Sequence, residues 1–203
     1  MGMMCEPSYK ETDLILMDLF ASLDEDIQEF KEASRLDCPA RCGHCCEGSE
    51  IETTVLEMMP LANYLWNAGE TEVWFQKAVN GNPKGRCILY CPDEAKAGQG
   101  RCLFYAYRPL ICRLFGFSAK QDKHARPVFV TCKVIKETQS ECYTRIQKRI
   151  KEGMPVPAMA SYAFQVSCLD IALGTKQWPI NEAIRMALEK VGLSGVFQKQ
   201  QNE

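Results

Sequence analysis

The spacing of hydrophobic residues predicts a long amphipathic helix near the start of the chain. Across residues 12–36, large apolar side chains recur at steps of three and four, which is the spacing of one helix face. These side chains are Leu16, Phe20, Leu23, Ile27 and Phe30. Acidic residues fill the other faces, and we expect them to be solvated. The pattern therefore places one face of this helix on a core.

The same spacing predicts three helices in the last third of the chain, over residues 133–151, 158–173 and 180–191. The first carries a stripe of Thr138, Cys142, Ile146 and Ile150. The second carries a predicted buried side of Ala160, Phe164, Cys168 and Ile171. Gly192 predicts the end of the third, since glycine is common just after the last residue of a helix.

Shorter elements are predicted between these helical regions. Residues 37–50 have the composition of a loop. The candidate helices are 51–67, 71–80 and a turn opened by Arg108-Pro109. The candidate strands are 86–91 and 101–107, which can pair as a hairpin, and 128–131. We predict a mostly α (α+β) fold in which helices pack around an irregular cysteine-rich segment with a small antiparallel β-hairpin.

Twelve cysteines among 203 residues change this picture. The chain has no run of about 20 apolar residues, and its N-terminus lacks the apolar stretch of a secretory signal. We therefore expect no membrane association and a cytoplasmic location. Thiols stay reduced there, so clustered cysteines indicate metal ligands or redox groups rather than disulfides. The formal net charge of -2 makes nucleic acid an unlikely partner, because bulk positive charge is missing.

The cysteines divide by their sequence context. Cys142 and Cys168 fall on helix stripes and are expected in the core, while Cys5 lies in an N-terminal tail. Soft thiolates that share a flexible loop can meet at one centre, where they select zinc, copper(I) or iron–sulfur groups. The densest such loop has the pattern Cys38-x3-Cys42-x2-Cys45-Cys46.

Further thiols in the hairpin and strand candidates complete a predicted metal-binding set. Its members are Cys38, Cys42, Cys45, Cys46, Cys87, Cys102, Cys112 and Cys132. Eight thiolates can fill two four-thiolate sites, or one site with others in reserve. Cys91 and His44 stay open as ligands, and for His44 we favour a place around the ligands or in solvent.

Basic residues directly adjoin five of these cysteines in sequence. They are Arg41, Arg86, Arg101, Arg113 and Lys133. A neighbouring cation lowers the pKa of a thiol and helps to neutralise a thiolate-rich centre. The arrangement therefore supports a metal site, although some basic neighbours are expected by chance.

Four stretches of the middle segment form a specific combination. They are Cys42-Gly-His-Cys45-Cys46, Cys87, Gly100-Arg101-Cys102-Leu103-Phe104-Tyr105 and Arg108-Pro109-Leu110-Ile111-Cys112-Arg113-Leu114-Phe115. The combination resembles the YkgJ-type, or CxxCxxCC, cysteine-cluster family, which is described as a zinc- or iron-chelating domain. Members are often labelled as iron–sulfur-cluster-containing, and a related cysteine segment occurs in flagellin lysine N-methylases. The family name implies two residues between the first two cysteines, whereas three separate Cys38 from Cys42.

The resemblance covers residues 38–132 and implies metal chelation without a defined reaction. The spacing fits zinc and iron–sulfur centres equally, and the family labels favour an iron–sulfur cluster. The spacing Cys38-x3-Cys42-x2-Cys45 also matches radical S-adenosylmethionine enzymes. Those enzymes need repeated strand–helix units, which this short chain lacks.

Two functional classes follow from these observations. The first is a metal-binding protein with a redox, metal-handling or structural role. The second is a metal-dependent enzyme, such as a protein-modifying, methylase-like activity, for which the sequence offers no clear acid–base set. We predict a single domain over residues 1–203, with an N-terminal helix in 1–37, the cysteine-cluster metal-binding segment in 38–132 and helices in 133–203.

Overall fold

The computed structural model describes residues 9–48, 51–96 and 98–201. The longer helices are α1 (Tyr9–Ser34), α3 (Val55–Asn67), α4 (Thr71–Asn80), α7 (Ser140–Lys151), α8 (Met159–Leu169) and α10 (Ile180–Gln201). The shorter helices are α2 (His44–Glu47), α5 (Leu110–Leu114), α6 (Lys133–Thr138) and α9 (Ile171–Gly174), and Tyr105–Tyr107 form a 3-10 turn. The strands are β1 (Glu52–Thr54), β2 (Tyr90–Pro92), β3 (Gly100–Cys102), β4 (Ser118–Gln121), β5 (Pro127–Val130) and β6 (Gln177–Pro179).

The strands form three separate antiparallel pairs within the described ranges. β1 pairs with β6, β2 with β3, and β4 with β5. The predicted hairpin is present as β2 and β3, but each strand has three residues, and most of the predicted ranges 86–91 and 101–107 lie outside them. The predicted third strand is present as β5, which pairs with β4, a strand that the sequence pattern did not indicate. The helix content and small strand pairs confirm the mostly α (α+β) class.

A helical framework of α1, α3 and α10 surrounds the core. All five apolar residues predicted on one face of α1 are buried, from Leu16 to Phe30. α3 is buried along most of its length because it packs against both α1 and α10. Each large apolar side chain contributes about 1.5–3 kcal/mol when it leaves water, so this framework is stabilised mainly by apolar burial.

A capping box starts α3 and ties it to α5. Thr54 Oγ1 accepts a hydrogen bond from the Glu57 backbone at 3.3 Å, and Glu57 Oε1 accepts from the Thr54 backbone at 3.2 Å. The other carboxylate oxygen of Glu57 accepts from the Leu110 backbone at 2.6 Å. A carboxylate buried as deeply as this one, at 3% exposure, needs such donors in place of water. Glu57 therefore couples the framework to the helix that carries Cys112.

The predicted buried side of α8 is wrong. Phe164 is 69% exposed and Ile171, in α9, is 74% exposed. Tyr162 and Val166 face the core instead. Apolar residues lie on both faces of α8, so their spacing does not decide which face packs; the neighbouring α1, α5 and β4 decide it.

Helix boundaries differ from the sequence pattern in three other places. α10 continues through Gly192, because the buried Leu188 and Val191 hold this stretch on the core. A glycine inside a helix costs about 1 kcal/mol, which such packing offsets. The predicted helix 51–67 starts at Val55, after β1, and the predicted helix 133–151 is divided at Gln139. Within the described ranges, no helix combines the length and apolar character needed to cross a membrane.

Candidate metal centre

Backbone hydrogen bonds dock the cysteine loop onto the β2–β3 hairpin. The Gly43 N–H donates to the Gly98 carbonyl at 3.0 Å, and the Gly100 N–H donates to the Arg41 carbonyl at 3.0 Å. Cys42 also forms an isolated bridge with Gln99. Arg41 adopts a φ of 59°, a conformation that turns the chain sharply but is uncommon for residues other than glycine. The loop is thus held by the hairpin rather than by a core of its own.

The Tyr90 ring fills the space between the loop and the hairpin. A Cβ on Gly43 would lie 2.0 Å from the Tyr90 hydroxyl oxygen, and one on Gly100 would lie 2.5 Å from the Tyr90 ring. The hydroxyl donates to the Gln99 carbonyl at 2.9 Å. Both glycines are therefore required by close approach to one aromatic side chain. Sequence analysis did not single out Tyr90, because nothing in its spacing indicates this contact.

Cys45 and Cys46 occupy the short helix α2. Their sulfur atoms are 3.9 Å apart, and either thiol can donate the hydrogen bond between them. This hydrogen bond is the main reason why the pKa of Cys45 falls to about 7, and the nearby Arg108 lowers it further. The same hydrogen bond and burial raise the pKa of Cys46 above its ordinary value.

Thiols from separate parts of the chain pack against the hydrophobic core. Four of them are Cys46, Cys87, Cys102 and Cys112, and Cys132 and Cys142 also touch the core. Burial raises the pKa of Cys87 to about 12, and burial also raises the pKa values of Cys102 and Cys112. These four thiols are close enough to influence one another electrostatically, either directly or through a shared neighbour. The fold thus brings together cysteines up to 66 residues apart in sequence.

A second set of thiols lies nearer to the surface. Cys38 is exposed, and Cys42 is the thiol that acts most strongly on its pKa. Partial desolvation of the sulfur, together with Cys42, Cys132 and Cys45, raises the pKa of Cys38 to about 12. Cys132 caps α6, where its sulfur accepts from the Ile135 backbone at 3.4 Å.

Arg108 is the cation that acts on the thiols, although it adjoins none of them in sequence. It lowers the pKa of Cys45 and opposes the upward shifts at Cys102 and Cys112. Its side chain lies over the Tyr105 ring and donates to the Tyr105 carbonyl at 3.0 Å. Arg108 precedes α5 in extended backbone, and its Nη1 donates to the Cys112 carbonyl at 3.4 Å, so neither adjacency nor helical spacing would have identified it.

Arg113 follows Cys112 in sequence, but its side chain pairs with an acidic residue of α1. It is 5% exposed and pairs with Asp24 of α1. It also donates to the Arg108 carbonyl at 2.7 Å. Asp24 therefore anchors a buried guanidinium and is not simply one of the solvated acids expected on α1. Adjacency in sequence therefore pointed to Arg113, whereas the cation that acts on the thiols is Arg108.

Cys91 lies on the side of the hairpin away from Cys102. Tyr90 pairs with Cys102, and Cys91 pairs with Arg101. Since alternate residues of a strand point to opposite faces, Cys91 and Cys102 point apart. The Cys91 thiol is 3.9 Å from the Pro92 carbonyl, to which it donates. Cys91 is therefore separated from the thiols that converge.

The structure also shows the positions of His44 and of two cysteines outside the predicted metal-binding set. His44 packs over Gly98, and its Nδ1 is 3.8 Å from a Glu47 carboxylate oxygen. Cys142 is half-buried beside the core as expected, and its thiol donates to the Ser34 carbonyl at 3.3 Å. Cys168 is exposed, so its predicted core position is wrong. Cys5 lies outside the described residues.

The donor set fits a soft metal by its chemistry, although its side chains are not yet arranged around an ion. Within 9–48, 51–96 and 98–201, no three His, Cys, Asp or Glu side chains already form a site that could hold a metal. Every cysteine in those ranges is a free thiol. Thiols that repel one another as anions are drawn together only when a cation replaces their protons. Closing such a site therefore requires these side chains to rearrange.

A cavity of about 330 Å³ lies beside α5. Its lining includes Leu110 and Ile111 of α5, Ala163 and Val166 of α8, and the Glu57 side chain. The volume is at the lower end of the range for small-molecule sites. α5 connects the cavity to the thiols, because it contributes Leu110 and Ile111 to the cavity wall and also carries Cys112.

Comparison with known proteins identifies the middle of the chain. Residues 37–133 match the CxxCxxCC family, described as "Putative zinc- or iron-chelating domain". The match confirms the resemblance inferred from the cysteine and arginine motifs. No match was found among curated proteins, and none among solved structures.

Proposed function

Because residues 37–133 form a CxxCxxCC-family segment, we propose that this protein binds an iron–sulfur cluster or zinc through clustered cysteine thiolates. The ligands in this proposal are Cys38, Cys42, Cys45, Cys46, Cys87, Cys102, Cys112 and Cys132. The chain is then one cytoplasmic domain in which flanking helices hold the metal-binding segment. The role is redox, metal handling or structural.

The observation that carries the proposal is that thiols from distant parts of the chain lie near enough to act on one another. The pKa of Cys46 responds to Cys87 and Cys112, and the pKa of Cys38 responds to Cys42 and Cys132. Free thiols have no strong mutual attraction that would favour such a gathering. A thiophilic metal supplies that attraction, because each thiolate–metal bond replaces a thiol proton.

An iron–sulfur cluster is the first choice of metal group, and zinc is the alternative. Both take four thiolates. The preference comes from the label that many members of the family carry, whereas the family description itself names zinc or iron. Arg108, beside three of the thiols, offsets part of the negative charge that either group would bring.

Elemental analysis and absorption spectra of protein purified without oxygen test the proposal. We expect brown protein that contains iron and sulfide, and we expect Cys46→Ser to lose most of both. Cys91→Ser is the matched control, because Cys91 points away from the other thiols of the hairpin. Colourless protein with stoichiometric zinc would show that the bound metal is zinc and not an iron–sulfur cluster. Protein that binds neither metal would refute the proposal.

A metal-dependent enzyme is the second candidate, and the cavity beside α5 favours it. A small ligand in this cavity would contact Ile111, the residue before the proposed ligand Cys112. Filling the cavity with Ala163→Trp should abolish any turnover while the metal content stays unchanged. If the variant keeps both turnover and metal, the cavity takes no part in the reaction.

A further inference from the structure

We propose that the cavity beside α5 binds a small organic cation, a molecule with an apolar body and a protonated amine. The cavity has a volume of about 330 Å³. A water-sized group takes up roughly 30 Å³ in a liquid, so a ligand of about ten non-hydrogen atoms fills this space. The proposal goes beyond metal binding and does not depend on it.

Two helices form an apolar wall of the cavity. α5 contributes Leu110 and Ile111, and α8 contributes Met159, Ala163 and Val166. Leu110 and Val166 are buried, whereas the other three are half-buried. The wall therefore extends from the core to the surface, and the apolar body of a ligand can pack against it, as in most small-molecule sites.

The β1–β6 strand pair forms a polar wall. Glu52 and Thr54 are alternate residues of β1, so their side chains lie on one face of the pair. Gln177 of β6 is directly opposite Thr54, which places it on the same face. All three residues line the cavity. Glu52 and Gln177 are exposed and Thr54 is buried, so this wall also reaches from the surface into the interior.

Glu57 adds a second carboxylate at the buried end of the cavity. Its Oε1 accepts from the Thr54 hydroxyl at 3.0 Å and from the Thr54 backbone at 3.2 Å, and its Oε2 accepts from the Leu110 backbone at 2.6 Å. A carboxylate can accept about four hydrogen bonds. The donors among the described residues thus leave one acceptor position of Glu57 for a ligand.

The charge of the lining determines the class of ligand. Of the described residues that line the cavity, Glu52 and Glu57 are charged, and none is a Lys, Arg or His. The nearby Lys176 lies over the Trp178 ring at 3.7 Å, on the face of β6 opposite to Gln177. An anionic ligand would therefore meet two like charges. An ammonium group instead forms charge-assisted hydrogen bonds, which are about twice as strong as neutral ones.

Three matched probes test the charge of the ligand. They are 2-phenylethylamine, 2-phenylethanol and phenylacetate, titrated into the full chain by calorimetry. We expect the amine to bind about tenfold more tightly than the alcohol, and the acid to bind most weakly. Glu52→Gln should weaken the amine by up to about fivefold and leave the alcohol unchanged. Equal affinity of the amine and either other probe, or no binding of the amine, would overturn the proposal.

Two further readouts locate the bound amine. Ala163→Trp should abolish its binding, whereas Ala160→Trp, the same change on the exposed side of α8, should keep it. The wild-type chain with ¹³C-labelled methionine methyl groups gives a readout that does not depend on how a variant folds. The Met159 signal should shift with added amine, while the signal of Met58, a buried residue outside the lining, should not.

A Met159 signal that stays fixed while the amine binds would overturn the proposal, as would equal loss of binding in both tryptophan variants. Iron and zinc contents are measured on the same samples. We expect Ala163→Trp to keep the metal content of the wild type. Wild-type protein that binds the amine but no metal would refute the proposed function and support this site, so the two failures are distinguishable.

Discussion

Different interactions dominate in the helical framework and in the thiol-bearing region. The thiol-bearing region comprises the loop 38–48, β2, β3 and α5. α1, α3 and α10 bury continuous apolar faces, so their order follows from the hydrophobic effect. The thiol-bearing region has strands of three residues and helices of four and five. Leu110 and Leu114 of α5 reach the core, but the loop and the hairpin depend mainly on backbone hydrogen bonds and on the Tyr90 ring. In our proposal, a bound metal adds the ligation that makes this region rigid.

Removal of the metal should separate the two regions most clearly. Thiolate-bound zinc contributes about 10 kcal/mol or more to folding in small structural sites. We therefore expect chelation to abolish hydrogen-exchange protection in the thiol-bearing region, while the peptides of α1, α3 and α10 keep theirs. Exchange measured by mass spectrometry on loaded and chelated protein checks this. Equal protection in both states would show that the region is already rigid without metal.

Truncation of a core side chain should produce the largest effect within the framework. Phe20 is 1% exposed on α1, and Phe20→Ala should lower the free energy of unfolding by about 3–5 kcal/mol. Phe164→Ala removes the same atoms from a side chain that is 69% exposed, so we expect a change within about 0.5 kcal/mol. Urea denaturation of the metal-loaded proteins measures both. A large loss for Phe164→Ala would indicate that the outer face of α8 is covered in solution.

Glu57 connects the two regions, and its substitution should weaken both. In Glu57→Gln, one of the hydrogen bonds to Thr54 or Leu110 loses its acceptor, because the amide nitrogen can only donate. An unsatisfied buried donor costs about 1–3 kcal/mol. We expect that loss in urea denaturation together with faster metal release. The exposed Glu52→Gln is the control, and an effect of similar size there would contradict the coupling.

The fit of the cysteine loop on the hairpin should give the smallest of these effects. Gly43→Ala places a Cβ against the Tyr90 hydroxyl, and we expect a loss of about 1 kcal/mol, the lower end for overpacking, because the loop can shift. Gly192→Ala, where nothing lies within 4 Å of the added Cβ, should instead stabilise α10 by about 1 kcal/mol. Thermal denaturation compares the two. Partial rescue of Gly43→Ala by Tyr90→Phe would confirm the contact, and no rescue would argue against it.

Apolar periodicity predicted the framework well and the outer helices less well. On α1, one face carries the large apolar residues and the others carry acids, so the buried face is unambiguous. On α8, Phe164 and Val166 lie on different sides, and only the packing against α1 and α5 determines that Val166 is buried. The end of α10 was missed for a related reason, since packing overrides the local preference of Gly192.

For the candidate site, the sequence identified the thiols but not their surroundings. Spacing selected Cys42, Cys45 and Cys46 without reference to any fold. Basic neighbours in sequence pointed to Arg113, whereas the fold turns Arg113 to Asp24 and brings Arg108 to the thiols. Direct neighbours along a chain usually point in different directions, so adjacency does not measure distance between side chains.

The sequence by itself determined which residue types this protein offers: an amphipathic framework, a dense set of thiols and the motifs of the CxxCxxCC family. These properties are local, because they depend on spacing over a few residues. Only the tertiary structure decided which thiols lie on the core, which lie at the surface, and that Cys91 points away from Cys102. That division depends on contacts between residues up to 102 positions apart, such as Asp37 and Gln139, which no local pattern encodes.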